Sequence, residues 1–174
     1  MNDINKYSPH PEKVKLIAVT KYVDIDAVKE VLKCGIHLLG ENRVQVLKEK
    51  KEVLRDENIN WHLIGQLQKN KIKYIADYIS MIHSVDSYGL AAEIDKHALK
   101  SSRKIDVLLE VNVSGEESKS GYSPEDLIKE CPQLTGLKNI CIKGLMTMTP
   151  LTDSEEIIRN VFSNLAKLKD RLNV

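Results

Sequence analysis

The 174-residue sequence has few aromatic residues, few cysteines and almost no net charge. Lysine and arginine number 26 against 25 aspartate and glutamate residues, so there is no basic excess of the kind that nucleic-acid binding needs. Cys34, Cys131 and Cys141 form no CxxC pair, which favours reduced thiols in a cytoplasmic protein over a disulfide framework. The five histidines have no metal-ligand spacing, and we expect no metal site.

Long apolar runs and glycine-rich phosphate loops are also absent. The apolar stretches fall far short of the roughly 18 residues that a membrane span needs, and the polar N-terminus lacks the apolar segment of a signal peptide. There is no GxGxxG and no GxxxxGK[ST] motif, which argues against a nucleotide-binding fold. We therefore expect a cytoplasmic protein that binds neither membranes nor nucleic acids.

What the sequence does contain is an alternation of two hydrophobic periods. Short apolar runs predict strands at 14–21, 37–42, 60–65, 81–86, 105–113 and 140–148, and helical spacing follows at 25–34, 43–54, 67–78, 87–102, 124–130 and 154–172. Residues 16–19 and 107–109 are apolar without alternation, which indicates a parallel sheet. The pattern predicts one α/β domain over residues 1–174 with six βα units. Two architectures remain open: a doubly wound sheet, or a (β/α)₈ barrel that stops after its sixth unit, since a full barrel typically needs ~250 residues.

The predicted strand ends carry unusually polar residues, and ligands meet parallel sheets at these ends. Lys21 follows the first strand directly. A lysine held against an apolar wall loses solvation and can attack a carbonyl, although a lysine that reaches out to solvent explains the position as well. Residues 40–43, GENR, suit a binding loop or a solvated turn. His62 and His83 fall inside predicted strands and are interpreted as hydrogen-bonded core histidines.

Six segments resemble one known family when they are taken in order. They are AVTK at 18–21, GENRVQ at 40–45, WHLIGQLQKNK at 61–71, HSVDS at 83–87, VNVSGEESKSG at 111–121 and GLM at 144–146. Together they are similar to the pyridoxal-phosphate homeostasis protein family, over residue 11 to the end. WHLIGQLQKNK is the most specific single segment.

This resemblance implies an alanine-racemase-like parallel (β/α) barrel of TIM type that binds pyridoxal 5′-phosphate without established turnover. It places the Schiff-base lysine at Lys21, the asparagine near the cofactor ring at Asn42 and a pocket methionine at Met146, and it assigns Asn112 from its place at a strand end. It implies a monomer that acts in intracellular homeostasis of the cofactor, with pyridoxal-phosphate-dependent apo-enzymes as partners and no catalytic residue.

The resemblance also implies two further βα units that contribute the phosphate grip, so this chain is expected to be an incomplete (β/α)₈ barrel, truncated at its C-terminus. Two alternatives therefore stay open. One is a racemase-like enzyme, which would need a second acid or base on the opposite face of the cofactor. The other is a cofactor-free fragment whose open sheet self-associates. Loop 114–122 is expected to be either a mobile lid, with Lys119 as a secondary amine, or an exposed connection.

Overall fold

The computed structural model describes residue 6 and residues 8–116 and 120–173. Six parallel strands form one sheet in the order in which they occur along the chain. The strands are β1 (Ala18–Val19), β2 (Leu38–Glu41), β3 (Asn60–Leu63), β4 (Met81–Val85), β5 (Ile105–Glu110) and β6 (Ile140–Met146). The α-helices are α1 (Ile25–Lys33), α2 (Val44–Val53), α3 (Tyr88–Lys100), α4 (Pro124–Leu134) and α5 (Glu155–Leu172), with 3₁₀ helices at Pro11–Lys13 and Lys69–Tyr74. The predicted six-unit parallel α/β fold is confirmed.

Four of the α-helices begin at a residue whose side chain accepts a hydrogen bond from a free backbone amide. These residues are Asp24, Ser87, Ser123 and Ser154. In α4 the cap is followed by Pro124, whose missing N–H costs nothing in the first turn. The helix starts are therefore encoded locally, in agreement with the start positions that the sequence predicts.

Two elements differ from the sequence prediction. The first strand pairs over only two residues, and Val14 and Leu16 before it are exposed, because β1 has a partner on one side alone among the described residues. Residues 67–78 contain a 3₁₀ helix instead of an α-helix. Its buried Ile72 and the following Ile75 are three residues apart, which is the repeat of a 3₁₀ helix, and β4 begins shortly afterwards.

The sheet has an apolar face that packs against the helices and a mixed face, called the polar face below, which also carries Ile17, Leu38 and Met81. Leu39, Trp61, Leu63, Ile82, Val107 and Leu109 are almost completely buried and form the core with the helices. The alternate positions on the other face include Asn60, His62, His83 and Asp106, which line a cavity of about 360 Å³. The parallel sheet predicted from the apolar run at 16–19 is confirmed, although Leu16 and Val19 themselves are about half exposed.

Register shifts in β4 and β6 change which side chains reach the polar face. In β4 the pairing with β5 shifts between Ile82 and Val85, so His83 and Ser84 lie in an irregular segment. In β6 the shift falls next to Gly144, whose φ of 145° is open to glycine and strained for other residues.

Asp95 on α3 ties that helix to the start of β6. Its Oδ1 accepts a hydrogen bond from the backbone N–H of Asn139 at 2.6 Å, and its Oδ2 accepts one from the Asn139 side-chain amide at 3.1 Å. The Asn139 carbonyl in turn accepts from the N–H of Ile105, at the first residue of β5. One carboxylate therefore fixes how the last two strands begin.

We expect Asp95→Ala to lower the free energy of unfolding by about 1–3 kcal/mol, because the Asn139 amides lose a charged acceptor in a half-buried place. Urea unfolding followed by circular dichroism measures this. Glu52→Ala, at an exposed position of α2, is the matched control and should stay within about 0.5 kcal/mol of the parent chain. Equal effects of the two changes would contradict the role given to Asp95.

Candidate functional site

Lys21 and Asn42 lie next to each other at the carboxyl ends of β1 and β2. The strands are in register there, since the N–H of Thr20 donates to the carbonyl of Gly40 at 3.0 Å. Lys21 occupies a turn that is closed by a 3.2 Å hydrogen bond from the N–H of Val23 to the carbonyl of Thr20. Its side chain is half-buried, with Nζ 5.0 Å from the ring centroid of the exposed Tyr22.

Behind these two residues lies a buried cluster formed by Thr20, Glu41 and Lys50. Glu41 is fully buried, and its Oε1 accepts from Thr20 Oγ1 at 2.6 Å and from Lys50 Nζ at 2.7 Å. Lys50 reaches in from α2 and also donates to the carbonyl oxygen of Thr20 at 2.5 Å. The Thr20–Glu41–Lys50 cluster thus joins the ends of β1 and β2 to one helix.

The end of β3 packs very closely on the end of β2. A Cβ added to Gly65 would lie 2.2 Å from the carbonyl oxygen of Asn42, so only glycine fits there. The hydroxyl of Ser84 donates to the carbonyl of Gly65 at 2.6 Å and extends the packing to β4. The backbone of Asn42 is therefore packed against the segment that follows β3.

Asn112 and Met146 lie at the carboxyl ends of β5 and β6, toward the opposite edge of the sheet from Lys21 and Asn42. Met146 ends β6, and its carbonyl accepts from the N–H of Val111 at 2.8 Å. The side chain of Asn112 is engaged within its own loop: Nδ2 donates to the carbonyl of Glu116, and Oδ1 accepts from Ser114 Oγ and from the N–H of Gly115. The four predicted residues thus form two pairs, Lys21 with Asn42 on β1 and β2, and Asn112 with Met146 on β5 and β6. Their roles toward a cofactor stay predictions.

The loop that follows β5 is fixed at both ends. The N–H of Tyr122 donates to the carbonyl of Glu110 at 2.8 Å, and the N–H of Asn112 donates to the carbonyl of Tyr122 at 2.9 Å. Burial, and secondarily the charge of Asp86, raises the pKa of the Glu110 carboxyl. Burial also raises the pKa of the Tyr122 hydroxyl, with a smaller effect of the nearby Glu130. Lys119, predicted as a secondary amine, lies outside the described residues.

His62 and His83 form a hydrogen-bonded pair on the polar face of the sheet. His62 Nδ1 and His83 Nε2 are 2.8 Å apart, and the ring planes are tilted by 49°. Burial lowers the pKa of His62 to about 4, with smaller contributions from the charges of His83 and Lys15, and burial also lowers the pKa of His83. The predicted hydrogen bonding of both histidines is confirmed, but the pair lines a cavity and is not part of the apolar core.

A metal site and a membrane-spanning helix are both missing from the described part of the chain. No group of three or more His, Cys, Asp or Glu residues within 8–116 and 120–173 is arranged to hold a metal ion. No helix built from those same residues is long and apolar enough to cross a membrane.

Lys50 is the site residue that the sequence reasoning missed. The apolar residues of α2 that face the sheet are Val44 and Leu47, and Leu54 follows at the helix end. Lys50 takes the next position of that stripe after Leu47, where a lysine interrupts the apolar pattern. A charged residue in an apolar stripe indicates a buried partner, and this signal was available without a structure.

A six-unit parallel sheet with a lysine after its first strand has the architecture of the alanine racemase N-terminal domain, and residues 1–173 match that family. The chain is 42% identical over 158 residues to the pyridoxal phosphate homeostasis protein of Aquifex aeolicus, covering 91% of this chain and 69% of that protein. For the corresponding protein of Synechocystis sp. the identity is 37%, with 94% and 75% covered. The chain belongs to the pyridoxal phosphate homeostasis proteins within this family.

Solved structures support the same assignment. PipY of Synechococcus elongatus without PLP superimposes with a TM-score of 0.90 at 34% identity, over 98% of this chain and 79% of that chain. PipY with PLP bound gives a TM-score of 0.87 at 32% identity, with the same coverage. Alanine racemase of Clostridium difficile 630 gives a TM-score of 0.77 at 19% identity over 99% of this chain and 45% of that chain, which shows the shared fold alone.

We expect the histidine pair to make the protein less stable in mild acid. Because the pKa of His62 is about 4 in the folded state and 6.5 as its ordinary value, only the unfolded chain takes up this proton between those pH values. The stabilisation that the folded state gains by keeping His62 neutral is complete above pH 6.5. It is lost as the pH falls toward 4, by about 3 kcal/mol in total.

The measurement is the free energy of unfolding of the parent chain and of His62→Gln at several pH values. The parent curve should fall more steeply than the variant curve between pH 6.5 and 4, because the variant lacks the titrating ring. Parallel curves for the two proteins would exclude His62 as the source.

Proposed function

We propose that this chain binds pyridoxal 5′-phosphate as a Schiff base on Lys21 and acts in the homeostasis and carriage of the cofactor. The observation that carries the proposal is the half-buried Lys21 at the end of β1, fixed in a closed turn beside Asn42. Its support from relatives is the PLP-bound structure of PipY, at 32% identity.

The residues at this end of the sheet fit the reactive end of such a cofactor. When bound, the cofactor supplies an aldehyde that condenses reversibly with an amine. Lys21 provides the amine, and its turn keeps that amine at the sheet edge. Asn42 provides a side-chain amide on the neighbouring strand, held in place by the close approach of Gly65. We assign Met146 and Asn112, at the ends of β6 and β5, to the side of the cofactor opposite Lys21.

Carriage instead of turnover agrees with the acid–base groups of the described residues. Racemisation needs a second proton donor and acceptor facing the cofactor from the side opposite the lysine. Burial is the main cause that raises the pKa values of the Tyr78 and Tyr122 hydroxyls, and neither residue lies at the ends of β1 and β2 beside Lys21. Reversible attachment would let the protein hand the cofactor to apo-enzymes. The free thiols of Cys34, Cys131 and Cys141 agree with a cytoplasmic location.

The test is reduction with borohydride after mixing the protein with pyridoxal 5′-phosphate, followed by peptide mapping. We expect the added mass on Lys21, visible absorbance before reduction, and loss of both in Lys21→Ala. Lys29→Ala, at an exposed position on α1, is the matched control and should label Lys21 like the parent chain.

Two outcomes would contradict the proposal. Label spread over exposed lysines such as Lys29, with no preference for Lys21, would exclude a Schiff-base site at β1. Turnover of D- or L-amino acids by the loaded protein, lost in Lys21→Ala, would favour the racemase-like alternative. Transfer is measured as reactivation of a pyridoxal-phosphate-dependent apo-enzyme by the loaded protein.

As a cofactor-free alternative, we propose that the chain self-associates through the two sheet edges of its described residues. In the described residues β1 pairs only with β2, and β6 only with β5. Large apolar side chains are exposed beside both edges: Val14, Leu16 and Val19 near β1, and Met148, Leu151, Ile157 and Phe162 after β6. Unpaired edges with exposed apolar neighbours favour association.

Sedimentation velocity of the parent chain should show a dimer or larger species. Leu16→Lys and Phe162→Lys should each shift it toward the monomer, because each places a charge in the proposed contact. Leu99→Lys, at an exposed apolar residue of α3, is the control and should leave the distribution unchanged. A monomeric parent chain at all concentrations would exclude this association.

A further inference from the structure

The Thr20–Glu41–Lys50 cluster lies next to Lys21 and Asn42, two of the four residues assigned to the cofactor. Thr20 and Glu41 occupy corresponding positions at the ends of β1 and β2, and both contact Lys50. Lys21 and Asn42 each follow a member of the cluster in the sequence. Lys50, which comes from α2, connects Thr20 with Glu41.

The cluster fixes the backbone on which Lys21 is carried. The carbonyl of Thr20 accepts two hydrogen bonds, one from Lys50 Nζ and one from the N–H of Val23 that closes the turn around Lys21. The hydroxyl of the same threonine is held by Glu41 Oε1, which also accepts from Lys50. The orientation of the turn thus depends on one buried ion pair.

Burying the Lys50–Glu41 ion pair has a desolvation cost, and stabilisation of the fold alone would not explain it. Lys50 is 6% exposed and Glu41 is fully buried, and Glu41 Oε2 has no hydrogen-bond partner in the described part of the chain. Two desolvated charges often stabilise a fold no better than apolar residues of similar volume. The pair does provide a defined geometry, because Lys50 can reach Glu41 and the Thr20 carbonyl only when β1, β2 and α2 are in their present places.

We propose that Lys50 and Glu41 are positioning residues that set the turn bearing Lys21 and thereby its reactivity toward a pyridoxal-type aldehyde. They act through Thr20 and do not contact the cofactor themselves. This inference rests on the proposed function for its chemistry, but the positioning of the turn can be measured without any cofactor.

The experiment compares the parent chain with the double variant Glu41→Gln/Lys50→Met, which removes both charges and keeps the side-chain volumes similar. Two readouts are used: amide hydrogen exchange of Val23 in the cofactor-free protein, and the rate at which Lys21 is trapped by pyridoxal 5′-phosphate and borohydride. Lys51→Met is the matched control, since Lys51 neighbours Lys50 on α2 and its Nζ makes only a long 3.4 Å contact with the carbonyl of Arg55.

In the double variant we expect exchange at Val23 to rise roughly ten- to a hundredfold, the effect of losing one charge-assisted hydrogen bond, while the denaturation midpoint stays near that of the parent chain. Trapping at Lys21 should slow by a similar factor, and Lys51→Met should change neither readout. Thr20→Val leaves the ion pair intact and removes only the hydroxyl donor. Thr20→Val replaces the double variant in the experiment if the double variant does not fold. It should raise the rate of hydrogen exchange at Val23 by a smaller factor.

The outcomes separate the two proposals. Faster exchange at Val23 without any trapping at Lys21 in the parent chain would leave the positioning role standing and overturn the proposed function. Unchanged exchange and trapping in a folded double variant, or in Thr20→Val if the double variant does not fold, would overturn the positioning role. A change in Lys51→Met as large as in the double variant would do the same.

Discussion

One buried ion pair, between Lys50 and Glu41, determines how the first two strands end. Lys50 donates to the carboxylate and to the carbonyl of Thr20, so a helix and two strands share a single cation. In a low-dielectric interior such a pair repays its desolvation only when the geometry is good and further hydrogen bonds are satisfied. The Thr20 hydroxyl meets part of that requirement through Glu41 Oε1. The contacts that compensate the desolvation of the ion pair therefore also fix Thr20, the residue before Lys21.

The two faces of the sheet have different surroundings: one packs against the helices and the other borders a cavity. On the helix side the strands contribute side chains such as Leu39, Trp61 and Leu109, which are almost fully buried and pack with the helices. On the other side the same strands present polar groups, including His62 and Asp106 around a cavity. Because successive residues of a strand alternate between the faces, each strand contributes side chains both to the core and to the cavity side. The residues that line this cavity are distinct from Lys21, Asn42, Asn112 and Met146, which lie at the carboxyl ends of the strands.

The sequence predicts the order and type of the elements well because helix caps and apolar periods are local signals. Asp24 and Ser123 cap the predicted helices, and Lys21 is placed at its strand end by the run before it. The length of β1 could not be predicted, since pairing depends on a neighbouring strand and not on the residues 14–17 themselves. Nor could the His62–His83 contact be placed, because a register irregularity in β4 lies beside His83.

Burial drives three titratable groups of the sheet toward their uncharged forms. The pKa values of His62 and His83 are lowered while that of Glu110 is raised, and burial is the first cause in each case. Proton transfer at neutral pH is fastest when a group titrates near that pH. A histidine with a pKa of about 4 accepts a proton poorly at pH 7, so His62 is a weak base there. At neutral pH His62 and His83 are therefore an uncharged hydrogen-bonded pair on the cavity side of the sheet, and it is acid that disrupts this pair.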